Sequence, residues 1–181
     1  MLSTPETPSH ALATLTPGAL PQQATAALPR EFLSFRLGRE EYGVDILRVQ
    51  EIRSYEPPTR IANAPDFIKG VLNLRGLIMP IVDLRLRLAC DSAAYDALTV
   101  VIVLNVRGRT VGAVVDSVSD VMTLDPADIK PAPPLHSTLD AGYILGLGCT
   151  TSGEGERLLI LTDIERLMSG PEMGLFDTPL H

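Results

Sequence analysis

Tryptophan is missing from this chain of 181 residues, aromatic residues make up 4% of it, and only two lysines, Lys69 and Lys130, occur. With so few rings, any core has to be filled by Leu, Ile and Val. The thirteen arginines are spread along the chain, and 22 acidic against 15 basic side chains give a formal net charge of −7. That balance argues against nucleic-acid binding, which needs clustered cations to displace counterions. It also leaves no polybasic run to hold an anionic membrane surface. The longest unbroken apolar run, Val100-Val101-Ile102-Val103-Leu104, is far short of a transmembrane helix, so no direct membrane insertion is expected. The first 29 residues carry no Lys or Arg, so no secretory n-region is expected, and Asn-x-Ser/Thr does not occur. Two cysteines, Cys90 and Cys149, are too few for a disulfide framework. Together these absences point to a reducing, cytoplasmic compartment.

Residues 1–29 contain five of the 15 prolines and one charge, Glu6. Such a stretch cannot bury enough apolar surface to offset its ordering entropy and reads as a disordered tail. From Arg30 onward the pattern is one of short strands. Phe32 to Leu37 and Tyr42 to Val44 flank a four-residue turn, Gly38-Arg39-Glu40-Glu41. Asp45 to Val49 fits either a helical turn capped by Asp45 or a bent strand. Arg75-Gly76 and Arg107-Gly108-Arg109 mark two further hairpins, and Pro80 places its strand at a sheet edge or a strand end. Asp163 to Met168 begins with a good N-cap and reads as a short helix.

The two halves resemble each other. Gly43, Val49, Glu51 and Ile52 stand 69 residues before Gly112, Val118, Asp120 and Val121, and Ile81-Val82-Asp83-Leu84 parallels Leu161-Thr162-Asp163-Ile164. The shared order predicts two small β-barrels in tandem, each of about five strands around an aliphatic core. The division expected is a tail over 1–29, a first barrel over 30–92, and a second over 93–181 with a C-terminal helix, terminal segments being free to cross between barrels.

A search for catalytic chemistry finds little. His136, Ser137 and Asp140 hold the residue types of a hydrolase triad but sit together on one loop without a nucleophile elbow. The glycines between 142 and 155 are not followed by Gly-Lys-Ser/Thr. Cys90 and Cys149 lack Cys or His neighbours at zinc spacing. No catalytic residue, metal site or cofactor is expected. In an extended reading Val49, Glu51 and Arg53 share one face, which makes Ile52 the core residue and leaves Val49 exposed beside an acid. Glu51 and Arg75 are then expected to approach each other on the first barrel.

These residues also carry a resemblance. Phe32 to Gly38 followed by Glu41-Tyr42-Gly43-Val44-Asp45-Ile46-Leu47-Arg48-Val49-Gln50-Glu51-Ile52-Arg53 resembles the opening of the CheW family of bacterial chemotaxis coupling proteins. So do Asn73-Leu74-Arg75-Gly76, Pro80 to Arg85, Val111 to Val121 and Gly146-Leu147-Gly148, in order, over about residues 31 to 175. The resemblance implies an all-β protein of two tandem five-stranded SH3-like barrels with short connecting and C-terminal helices, and a non-enzymatic adaptor. Its partners would be the cytoplasmic tips of methyl-accepting chemoreceptors and the regulatory domain of the histidine kinase CheA. It would be recruited from the cytoplasm to membrane-associated receptor arrays. It implies receptor binding by Val49, Glu51, Arg75 and Val121, with Gly70 and Gly76 shaping the backbone, and kinase binding around Val44, Asp45 and Ile46. Val49 and Val121, taken as equivalent in the repeat, would form facing walls of the receptor groove. The same adaptor role in a pathway controlling pili or biofilm is the alternative.

Overall fold

The computed structural model describes residues 28–90, 93–133 and 141–175. The expected tail up to residue 27 and the His136-Ser137-Asp140 loop lie outside the described residues. The first hairpin consists of β1 (Arg30–Leu37) and β2 (Glu40–Asp45). Its loop is two residues, not four, because Leu37 pairs with Glu40 and Gly38 supplies the positive φ. A 3-10 turn, Ile46–Arg48, follows, and Asp45 Oδ1 caps it by accepting from the Leu47 amide at 2.9 Å. Then come β3 (Val49–Ser54), β4 (Ile68–Leu74), β5 (Leu77–Asp83) and helix α1 (Leu84–Arg87). The second half runs β6 (Val100–Val106), β7 (Arg109–Val115), β8 (Ser117–Leu124), the two-residue β9 (Ile129–Lys130), β10 (Ile144–Ser152), β11 (Gly155–Thr162) and α2 (Ile164–Ser169). The fold is all-β, two SH3-like barrels with short helices.

The strands do not sort by halves of the chain. One sheet has the order β3-β6-β7-β5-β4 and the other β8-β1-β2-β11-β10-β9. The hairpin β1–β2 therefore sits in the sheet of the second half, and β6–β7 in the sheet of the first. A cut after residue 92 would pass through both sheets, and one sheet has six strands rather than five. The internal repeat survives in the pairing. Ile52 opposes Ile102 and Val49 opposes Leu104, while Val121 opposes Leu33 and Val118 opposes Phe35, the same pairs 69 residues apart. The parallel contacts match too: Ile81 lies beside Gly112 as Leu161 lies beside Gly43. A Cβ on Gly112 would fall 2.6 Å from Ile81 Cδ1, and one on Gly43 would fall 2.8 Å from Leu159 Cδ2.

This exchange gives three cores. Leu74, Met79, Ile81, Val101, Val103 and Val114 fill the five-stranded barrel, and Phe32, Leu124, Leu159 and Leu161 fill the other. The largest cluster is shared between the sheets. It joins Leu33, Phe35 and Val44 to Ile102, Leu104, Ala113 and Val115, with Leu167 and Met168 of α2 closing one side. Strand β6 is thus buried on both faces, which is why Val100 to Leu104 reads as a continuous apolar run instead of alternating. Pro80, expected at a sheet edge or a strand end, lies inside β5 between β4 and β7. It is tolerated because β7 pairs with β5 only from Ile81 onward, so no ladder bond needs the missing N–H.

Candidate partner-binding site

Strand β3 forms one edge of its sheet, and its ladder slips between Val49 and Glu51. Such a bulge adds one residue against the partner strand and re-aims the side chains around it. The alternation along the strand is kept, but the expected burial of Val49 and Ile52 is reversed. Val49 is half-buried and packs on the shared core, whereas Ile52 is 45% exposed. Glu51, between them, is held at both oxygens: Arg75 Nη2 donates to Oε2 at 2.6 Å and Arg53 Nη1 to Oε1 at 3.3 Å. The hydrogen bond from Arg75 is the main reason the Glu51 carboxyl lies below its ordinary range. The expected approach of Glu51 and Arg75 is present.

The tip of the β4–β5 hairpin fixes where Arg75 stands. Arg75 (φ +52°) and Gly76 (φ +88°) are both left-handed, as a two-residue primed turn requires, and the Gly76 amide donates to Asn73 Oδ1 at 2.7 Å. Gly70 has φ +139°, and a Cβ there would lie 2.0 Å from the Thr59 carbonyl oxygen, whose strand segment pairs with β4 through Val71. Any side chain at residue 70 would push that segment away from the hairpin carrying Arg75.

Val121 lies on β8, the edge of the other sheet, and is 49% exposed. It is not the counterpart of Val49. The repeat pairs Val49 with Val118, both half-buried on the shared core, and Ile52 with Val121, both exposed. The sequence does not single out Ile52, because period-2 alternation, which β3 keeps, does not say which of its two faces is covered.

Of the second group, Val44 is fully buried in the shared core and offers no contact surface. Asp45 caps the 3-10 turn and pairs with Arg30 Nη2 at 2.8 Å, and Ile46 is half-buried. The side chain that this turn presents to solvent is Leu47, 86% exposed, which the sequence reading passed over.

Two polar networks were also not foreseen. Asp83 and Arg85 are fully buried and paired twice, Nη2 to Oδ2 at 2.9 Å and Nε to Oδ1 at 3.0 Å. Asp116 Oδ1 accepts from Arg85 Nη1 at 3.0 Å, and the Tyr95 hydroxyl donates to Asp83 at 3.1 Å. The second network gathers Ser34, Glu41, Asp120 and Arg157 beside Val121. Among the described residues no group of three or more His, Cys, Asp or Glu side chains is placed to hold a metal ion. No helix among them is long and apolar enough to cross a membrane.

Residues 31–172 match the family model of the CheW-like domain. Over 148 residues the chain is 59% identical to chemotaxis protein CheW of Klebsiella aerogenes, which covers 82% of this chain and 87% of that protein. Over 143 residues it is 38% identical to a probable chemotaxis protein CheW of Rhizobium etli, covering 79% of this chain and 90% of that one. The crystal structure of the scaffolding protein TtCheW from Thermoanaerobacter tengcongensis superimposes with a TM-score of 0.72 at 28% identity, over 82% of this chain and 99% of that one.

Proposed function

The chain belongs to the CheW-like family, a family of non-enzymatic chemotaxis scaffolds, and from that premise we propose that it couples the cytoplasmic tips of methyl-accepting chemoreceptors to the regulatory domain of the histidine kinase CheA. Receptors engage Glu51, Arg75 and Val121, with Gly70 and Gly76 setting the backbone and Val49 backing the strand from the core side. The kinase engages the turn at Asp45 and Ile46, with Leu47 as its exposed apolar anchor and Val44 supporting it from below. Through these contacts the protein is recruited to membrane-associated receptor arrays.

The observation that carries the receptor assignment is the Glu51–Arg75 ion pair on a bulged edge strand. Arg75 is held at a rigid hairpin tip with 74% of its side chain in solvent, so the pair fixes a surface geometry rather than a core. A partner helix can read both its charge pattern and the apolar residues nearby. The test is co-sedimentation with receptor fragments, with and without the kinase. The protein is expected to pellet with receptor alone and to bring the kinase down with it. Kinase that pellets equally without the protein would count against the coupling role.

A further inference from the structure

The network beside Val121 is built like the one beside Ile52. In each sheet the edge strand carries a bulge of the same register: Val49 to Ile52 against Leu104 to Ile102, and Val118 to Val121 against Phe35 to Leu33. In each, the residue before the exposed aliphatic side chain is an acid, Glu51 or Asp120. In each, that acid is gripped by an arginine from the hairpin that closes the same sheet, Arg75 from β4–β5 or Arg157 from β10–β11.

The second grip is the more extensive. Arg157 Nη1 reaches Asp120 Oδ2 and Nη2 reaches Asp120 Oδ1, both at 3.2 Å, while Nη2 also donates to Glu41 Oε1 at 2.5 Å. Ser34 Oγ, itself fully buried, lies 2.9 Å from Asp120 Oδ1 and 3.2 Å from Glu41 Oε1. Arg157, Glu41, Ser34 and Asp120 stand on β11, β2, β1 and β8, four consecutive strands of the six-stranded sheet. The edge strand is thus tied at its bulge to the centre of the sheet. Arg157 is also the first reason that Asp120 keeps its charge well below the ordinary carboxylate range.

We infer that Arg157, acting through Asp120, is a positioning residue for the receptor-binding face, holding the bulged edge of β8 so that Val121 is presented to a receptor helix. The inference rests on the receptor-binding reading given above. A bulged edge without its tie is free to slide or straighten, and either movement turns Val121 away. Lysine at residue 157 can still reach Asp120 but cannot span both carboxylates as the planar guanidinium does.

The experiment uses the full chain with Arg157→Gln, Arg157→Lys, Asp120→Asn and, as reference, Val121→Lys. Receptor-fragment co-sedimentation, binding of the kinase regulatory domain, thermal melting and the methyl resonances of Val121 are measured for each. Arg157→Gln and Asp120→Asn are expected to weaken receptor binding about tenfold and to move the Val121 methyl signals, with kinase binding unchanged. Arg157→Lys is expected to recover part of the loss. Receptor binding at the parental level in both Arg157→Gln and Asp120→Asn overturns the inference, as does a parallel fall of receptor and kinase binding. If Arg157→Gln does not fold, Asp120→Asn, which keeps the Arg157–Glu41 pair, decides alone. If Val121→Lys itself binds receptor normally, the receptor-binding reading falls and takes this inference with it. If Val121→Lys loses binding while the two clamp variants keep it, only the clamp is refuted.

Discussion

Lysine placed in turn at Val49, Ile52 and Val121 separates surface from core on this face. Val49 is half-buried against the shared cluster, so Val49→Lys gives up roughly half of a buried valine, about 1 kcal/mol, and brings a hydrated ammonium to an apolar boundary. The lysine stem can carry the charge outward from a half-buried position, which limits the total to about 2–3 kcal/mol. For a domain of this size that lowers the melting temperature by about 4–12 °C. Ile52 and Val121 are 45% and 49% exposed, so lysine at either should stay within about 0.5 kcal/mol of the parent. Receptor binding should fall sharply for Val121→Lys, because a partner helix packed there would desolvate an unpaired charge. Circular-dichroism melting and receptor co-sedimentation on the same three variants provide the test. Val49→Lys melting with the parent, or Val121→Lys falling as far as Val49→Lys, would refute the facing assigned to these strands.

Arg85→Met should cost about 3–5 kcal/mol in urea denaturation, because it strands the fully buried Asp83 carboxylate; a loss below about 1 kcal/mol would show the network to be dispensable. Gly70→Ala should destabilise by about 2–4 kcal/mol, since its Cβ meets the Thr59 carbonyl oxygen, and melting checks this directly. Burial pushes the Tyr42 phenol from 10 up to about 12, so between those pH values the folded state holds a proton that the unfolded chain releases. Stability is unaffected below that window and falls as pH rises through it, by up to about 2–3 kcal/mol, and Tyr42→Phe should make the alkaline loss shallower in pH-dependent denaturation. Reversing one member of the Glu51–Arg75 pair should weaken receptor co-sedimentation, and Glu51→Arg combined with Arg75→Glu should recover part of it.

Local chemistry was legible wherever a few adjacent residues decide the geometry. Asp45, Asp83 and Asp163 cap the turns and helices they precede, and Arg75-Gly76 and Arg107-Gly108 form the hairpin tips. The 69-residue repeat was legible as well. What was not is which sheet each hairpin joins, because both hairpins carry the same apolar pattern and a glycine at the same parallel contact. The two contacts differ in side chains far apart in sequence. Arg85 after β5 pairs with Asp116 after β7, while at the matching place after β11 stands Glu165, paired with Arg48 after β2 at 2.7 Å. A hairpin laid on the wrong sheet would set like charges against each other. The outward turn of Ile52 and the burial of Val44 were hidden for a related reason. Both depend on what packs over the strand, an open sheet edge for Ile52 and a second sheet for Val44.

The exchange of hairpins also sets an order on synthesis. The N-terminal strands leave the ribosome first, yet β1 waits for β8, complete at Leu124, and β2 waits for β11, complete only at Thr162. The five-stranded sheet can close once Val115 has emerged, and it does so on a hairpin borrowed from the later half. Contacts this distant make folding slow relative to a chain of local hairpins. A nascent or truncated chain ending near residue 90 would leave β1, β2, β3 and β5 without the strands they pair with and part of the shared core uncovered, and would be captured by chaperones or aggregate rather than stand as a half-size domain.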